Sequence, residues 1–187
     1  MTTIILSPGR NRRAGFTLVE LMIGAALSSF ILAGVLSTFL FIGRSGANVQ
    51  NYNDMEAQAR KALEYFAEDT RQASAVTWGS DNTSLTLTVN SLPVVYAYST
   101  SAKTFSRQDA TSTKILVSGI TSFAFSAYKI NTDAIPLATS SDLTAANGTT
   151  KQLQISLEAS RTSTTVVAAT NTVLSARFIL RNKKVTA

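Results

Sequence analysis

The most unusual chemical group in this sequence is the carboxylate of Glu20, which lies inside an almost uninterrupted apolar run from Phe16 to Ile42. An ionisable group within a membrane-length apolar segment is costly, so we expect it to have a function. A local role is available, because Thr17-Leu18-Val19-Glu20 fits the S/T-x-x-E capping box at the start of a helix. The side chains of Thr17 and Glu20 would then satisfy the first free backbone N–H groups.

The residues before the apolar run differ from those of an ordinary secretory signal. Such a signal places its small-residue cleavage site after the apolar region, whereas here Gly15 comes before it. A cut after the run would discard it, and a cut before the run would keep it. The run is 27 residues long, about 40 Å as a helix and enough to cross a hydrocarbon core of about 30 Å. Arg10, Arg12 and Arg13 precede the run and only Arg44 follows it, which predicts a cytoplasmic N-terminus.

The segment Gly15-Phe16-Thr17-Leu18-Val19-Glu20 resembles the type III signal of type IV prepilins and type II secretion pseudopilins, whose signature is G-F-T-L-x-E. The resemblance implies cleavage between Gly15 and Phe16 by a prepilin peptidase, followed by methylation of the new amine on Phe16. It also implies that Glu20 pairs with the N-terminal amine of a neighbouring subunit during assembly. Capping in the free protein and pairing in the assembly are compatible, and both remain open.

Two weaker similarities indicate the kind of subunit. The segments 62–73 and 176–182 are similar to the helix and the closing strand of J-type minor pseudopilins and W-type minor pilins. The resemblance therefore implies a non-enzymatic minor pilin or pseudopilin in the tip or priming complex of a type IV pilus or a type II secretion pseudopilus. The alternatives are a DNA-uptake or adhesive receptor at a pilus tip, or a major pilin subunit.

The same resemblance implies partners, location and domains. The expected partners are the prepilin peptidase, other pilin or pseudopilin subunits, the inner-membrane assembly platform and the lipid bilayer. The expected location is the bacterial inner membrane, as a single-pass protein, and then a periplasmic or cell-surface filament. Residues 1–15 would be the cleaved leader, 16–43 the transmembrane helix and assembly stem, and 44–187 the extracytoplasmic globular domain.

The periodicity of the remaining chain predicts an α+β, pilin-like fold, in which one long helix packs on an antiparallel β-sheet. The helix is expected over residues 17–75, with an apolar stripe from Val49 to Ala73. Strands are predicted near residues 85–89, 92–96, 104–108, 114–117, 120–130, 151–160 and 173–180. The segments 131–150 and 162–172 are expected to be loops.

Composition argues against several other classes of protein. The chain has no cysteine and no histidine, so it has no disulfide and lacks the commonest general base and metal ligand. No catalytic site and no cofactor are expected. Four isolated oxygen-bearing residues in separate loop-like stretches do not predict a calcium site; they are Asp81, Asp133, Asp142 and Asn147.

The positive charge of the chain is weak support for nucleic-acid binding. The formal charge is +6, but the first 15 residues contribute three arginines and no acidic residue. One basic cluster remains near the C-terminus, formed by Arg177, Arg181, Lys183 and Lys184. A solubilising strand end explains this cluster more simply than a phosphate-binding site, so nucleic acid is not expected as a partner.

Overall fold

The structure is a computed structural model that describes residues 15–163 and 166–185, and only the backbone between 162 and 172. The predicted leader therefore lies outside the described residues except for Gly15. The chain divides into two compact units with the boundary between Gly43 and Arg44. The predicted roles of these segments as an anchor and an external domain stay predictions.

The described residues form the predicted α+β, pilin-like layout of a long N-terminal helix followed by antiparallel strands. Helix α1 spans Leu18–Gln72. A first group of strands follows, consisting of β1 (Ala75–Trp78), β2 (Ser84–Val89), β3 (Leu92–Ser99), β4 (Thr104–Gln108) and β5 (Thr113–Ser118). The remaining elements are β6 (Ile120–Tyr128), β7 (Ala134–Ile135), α2 (Ser140–Thr149), β8 (Gln152–Ser163) and β9 (Val166–Ile179).

The strands form two antiparallel sheets, a division that the alternating pattern did not reveal. One sheet has the order β1-β2-β3-β4-β5 and the other β7-β6-β8-β9. A single residue, Gly119, connects β5 to β6 and so joins the two sheets. Its φ is +77°, and a Cβ there would lie 2.7 Å from the backbone oxygen of Ser160, so this junction requires glycine.

The second half of α1 supplies one layer of the core of the second unit. Met55, Ala59, Ala62 and Phe66 are buried, and the ring of Phe66 lies 5.1 Å from that of Tyr96 in β3. The apolar stripe is thus confirmed from Met55 onward. It is wrong for Val49 and Tyr52, which are 58% and 45% exposed.

Aromatic rings from both sheets meet in this core. The ring of Phe123 in β6 lies 4.7 Å from Tyr98 in β3 and 5.2 Å from Phe105 in β4. Phe125, also in β6, contacts the rings of Phe66 and Trp78. Helix and sheets therefore bury one continuous apolar cluster, which holds this unit together without disulfides.

Three sequence expectations need correction. The helix ends at Gln72 instead of residue 75, and the short strand β1 was missed. The expected loop 131–150 contains β7 and α2, whose start is a capping box formed by Thr139 and Asp142. The expected loop 162–172 is strand wherever it is described, and residues 164–165 lie outside the description. The described part contains Val166 and Val167, and valine favours strands.

Candidate functional site

The N-terminus of α1 is organised by Thr17 and Glu20. The Thr17 amide and hydroxyl donate to Glu20 Oε2 over 2.8 and 3.0 Å, and the Glu20 amide donates to the Thr17 hydroxyl over 3.2 Å. The Leu21 amide donates to the Thr17 carbonyl, which closes the first turn. The predicted capping box is therefore present. Both bonds to the carboxylate fall on Oε2, and among the described residues no hydrogen bond reaches Oε1.

The Gly15–Phe16 peptide bond immediately precedes this capped end. Both residues are exposed and outside the helix, and Phe16 is 84% exposed. Apart from Gly15 itself and its two neighbours in the chain, no heavy atom of the described residues lies within 4 Å of the position that a Cβ on Gly15 would occupy. Within the described residues, nothing covers this bond. The roles of Gly15 and Phe16 in cleavage and of Phe16 in methylation stay predictions.

The first half of α1 has the length and the composition needed to cross a membrane. Its most apolar stretch of 18 residues has a mean hydropathy of 2.1, and none of these residues is buried. A helix of similar length and hydropathy in the core of a soluble protein would be mostly buried. Two hydroxyls in this half bond back to the helix, Ser29 to the Ala25 carbonyl and Thr38 to the Gly34 carbonyl. These polar groups are therefore satisfied without a partner outside the helix.

The structure does not assemble the C-terminal basic residues into one site. The guanidinium carbon of Arg177 lies 3.5 Å from the centre of the Tyr128 ring, and its nitrogens donate to Gln154. Lys183 is only 6% exposed. Arg181 and Lys184 are exposed. Two of the four cations therefore have contacts within the fold, and Arg177 is exposed in spite of its contacts.

Lys183 caps the C-terminal end of α2 instead. Its ammonium donates to the carbonyls of Asn147 and Thr150, and its own carbonyl accepts from the ammonium of Lys151. The last carbonyls of a helix lack intrahelical partners, so a cation there satisfies them and suits the helix dipole. Burial, with a smaller contribution from the charge of Lys151, lowers the pKa of Lys183 to about 8.

The four isolated oxygen-bearing residues all have hydrogen-bond partners within the fold. Asp81 and Asp133 accept hydrogen bonds within their own turns, and Asp142 belongs to the capping box of α2. The side-chain oxygen of Asn147 accepts from the Trp78 amide over 2.8 Å, which ties α2 to β1. In the described part of the chain, no three acidic side chains come together as a group that could hold a metal ion.

A buried polar network was missed at the sequence level. Asp69 is only 7% exposed although it is a charged residue. Its Oδ2 accepts from the Tyr96 hydroxyl over 2.6 Å and from Arg107 Nε over 2.7 Å. Arg107 also donates to Asp109 over 2.6 Å. The sequence could have indicated this burial, because Asp69 follows Phe66 by three positions and therefore lies on the same face of the helix as that buried residue.

The N-terminal segment of the chain is similar to a known protein family. Residues 10–36 match a family model described as the prokaryotic N-terminal methylation motif. A search of curated proteins gives no match. The matched span covers the basic residues, the Gly15–Phe16 bond, the capping box and the first part of the exposed apolar helix. This combination fits a type IV prepilin or pseudopilin, a structural class of protein that is processed by prepilin peptidase, assembles with other pilin subunits and is anchored in a bacterial membrane.

Proposed function

We propose that this chain is a non-enzymatic minor pilin or pseudopilin subunit, which is built into the tip or priming complex of a type IV pilus or a type II secretion pseudopilus. The observation that carries the proposal is the methylation motif at residues 10–36, which coincides with an uncovered apolar helix. The likeness of segments 62–73 and 176–182 to minor subunits supports the choice of a minor role.

The proposal assigns a role to each part of the chain. Residues 1–15 are the leader, cut between Gly15 and Phe16 on the cytoplasmic face, and Phe16 then carries the methylated amine. Residues 16–43 are the membrane anchor and later the assembly stem. Residues 44–187 are the extracytoplasmic domain, first in the inner membrane protein and then in a periplasmic or surface filament, with the assembly platform as a further partner.

Glu20 would act in two successive states. In the free protein its Oε2 is held by Thr17, and its Oε1 remains available. The ammonium of a neighbouring Phe16 can approach that oxygen without first breaking the capping box. At about 4 Å and an effective dielectric constant of about 20, such a pair attracts by roughly 4 kcal/mol before desolvation is subtracted.

Mass spectrometry of the native product tests the processing. We expect the full-length chain, expressed in bacteria with a prepilin peptidase and purified from membranes, to begin at Phe16 and to carry one additional methyl group. A product that retains residues 1–15, or that has lost the apolar helix, refutes the proposal.

Two substitutions separate pairing from capping. Glu20→Gln keeps an acceptor for Thr17 but removes the charge, and we expect its incorporation into assemblies to fall at least tenfold, about 1.4 kcal/mol. Thr17→Ala removes the capping hydroxyl but keeps the carboxylate, and we expect near-normal incorporation. The measurement is the ratio of variant in purified assemblies to variant in membranes. Normal incorporation of Glu20→Gln would refute the pairing role.

A further inference from the structure

A groove of about 530 Å³ lies between the second half of α1 and strand β5. We call it the α1–β5 groove. Both of its walls belong to the unit that begins at Arg44. The residues that matter for its chemistry are Gln58, Lys61 and Tyr65 on the helix and Lys114, Ile115 and Ser118 on the strand.

Strand β5 is an edge strand with an open side. In the sheet order β1-β2-β3-β4-β5 it pairs with β4, and no other strand among the described residues pairs with it. An edge strand presents unpaired backbone N–H and C=O groups, to which another extended chain can bond. At its C-terminal end, Gln58 Oε1 accepts from the Ser118 amide over 3.3 Å. A side-chain carbonyl thus stands there in place of a strand carbonyl. Thr113, Lys114 and Ile115 are exposed, whereas Leu116 and Val117 are buried, so the accessible part of this edge is 113–115.

The two walls carry positive charge that the fold does not neutralise. Lys61 and Lys114 are exposed, and neither forms an ion pair within the described residues. The Lys114 ammonium lies 5.6 Å from the centre of the Tyr65 ring. An occupant that brings carboxylates between these lysines would gain the pairing that the isolated chain lacks.

The groove also has an apolar surface for the occupant. Ile115 is 67% exposed although it lies within a strand, and the half-buried Tyr65 also lines the groove. An added strand points alternate side chains to opposite faces. Acidic and apolar side chains in alternation would therefore meet the lysines and the exposed apolar side chains, respectively.

We propose that the α1–β5 groove binds an extended acidic segment of another protein, which adds to β5 as a further strand of the five-stranded sheet. Backbone hydrogen bonds to β5 supply affinity, and Lys61 and Lys114 select for carboxylates. The proposal is independent of the cleavage at Gly15 and goes beyond membership of a filament.

A peptide titration of the full-length protein in detergent tests this. The probe is an eight-residue peptide of alternating valine and glutamate with blocked ends, and the control peptide has lysine in place of glutamate. We expect the acidic peptide alone to bind, and to slow amide hydrogen exchange at residues 113–115. Lys61→Ala and Lys114→Ala should each weaken binding about two- to fivefold.

Charge reversal gives a sharper result. The double variant Lys61→Glu and Lys114→Glu should lose binding of the acidic peptide by at least tenfold and gain binding of the basic one. Lys129→Glu, an exposed lysine outside the groove, should leave binding unchanged. Unaltered Trp78 fluorescence verifies that each variant is folded.

Four outcomes would overturn the proposal. The first is no binding of the acidic peptide at low salt, which would mean that the lysines serve only to protect the edge against aggregation. The second is equal binding of the basic peptide. The third is exchange protection confined to other strands. The fourth is undiminished binding of a peptide N-methylated at alternate residues, since that peptide cannot complete a strand ladder.

Discussion

Removing the buried carboxylate of Asp69 should destabilise the globular unit more than any exposed charge does. Asp69 accepts from the Tyr96 hydroxyl and from two nitrogens of Arg107, at 2.6, 2.7 and 3.4 Å. Its side chain is 10% exposed and that of Arg107 is 14% exposed. The hydrogen bond to Asp69 raises the pKa of Arg107, and burial followed by the same carboxylate raises that of Tyr96. Both donors therefore keep their protons in the folded state.

The cost follows from what remains after substitution. Asp69→Ala leaves the Tyr96 hydroxyl buried without this acceptor, about 1–3 kcal/mol. It also breaks a buried ion pair, for which losses of about 3–5 kcal/mol are typical, although Asp109 still neutralises Arg107 here and reduces that loss. We expect about 4 kcal/mol in total for Asp69→Ala. For Asp69→Asn, which keeps one acceptor oxygen, we expect about 2 kcal/mol. Both are large against a domain stability of about 5–15 kcal/mol.

Urea unfolding of the full-length protein in a non-ionic detergent measures this loss. The chain has a single tryptophan, Trp78, which is 6% exposed and packs against Phe125 in the same core, so its fluorescence follows the globular unit. The matched control is Glu68→Gln, an exposed carboxylate on the adjacent helix position, which should change stability by less than about 0.5 kcal/mol. If Asp69→Asn is no more destabilising than Glu68→Gln, the network does not support the fold and the reasoning is wrong.

Four further predictions address the other features. Gly15→Ala should impair cleavage but not folding, because beyond its two chain neighbours no described residue has a heavy atom within 4 Å of the new methyl group; mass spectrometry of the membrane fraction measures the uncleaved share. Gly119→Ala should lower the free energy of unfolding by about 1–3 kcal/mol. The φ of Gly119 is left-handed, and the new Cβ would lie 2.7 Å from the backbone oxygen of Ser160. Burial lowers the pKa of Lys183 from its ordinary value of 10.5 to about 8 in the folded protein, so between these pH values the unfolded state binds more protons. The free energy of unfolding should therefore rise with pH from about 8 toward 10, and Lys183→Met should abolish this rise. Hydrogen bonds from Thr111 and, secondarily, from Arg107 lower the pKa of Asp109, so its contribution is present above the ordinary aspartate pKa and is lost as pH falls below it; Asp109→Asn should flatten the acid limb of the stability profile.

Matched controls separate these effects from general damage. Gly24→Ala is equally open and should leave cleavage unchanged, and Gly148→Ala, which also meets no atom within 4 Å, should be far milder than Gly119→Ala. Lys184→Met removes an exposed lysine and should preserve the alkaline rise in stability. Three results would contradict the corresponding arguments. They are normal cleavage of Gly15→Ala, equal stability of Gly119→Ala and Gly148→Ala, and a rise in stability at alkaline pH that persists in Lys183→Met.

Features set by neighbours in the chain could be predicted from the sequence. The box at Thr17 and Glu20 closes over three residues, and the strands from Leu85 to Val89 and from Gln152 onward follow from side-chain alternation. Helix α2 was missed although the spacing of Thr139 and Asp142 is the same kind of local signal. That segment was predicted as a loop from its polar composition alone, and the burial of Leu143 shows that the capping box is the better guide.

Features set by distant partners could not be predicted in this way. Lys183 and Lys184 are the same residue type in adjacent positions, yet one is buried on the carbonyls of α2 and the other is exposed. Their difference depends on where the end of α2 lies, and no periodicity within the closing segment encodes that position. Asp69 likewise differs from Glu68 because Tyr96 and Arg107 converge on it from β3 and β4. When a charged side chain lies on the apolar face of a helix, we therefore expect it to pair with a buried residue of opposite charge or a hydrogen-bond donor. The free-energy cost of burying the charge unpaired would exceed the gain from burying that face of the helix.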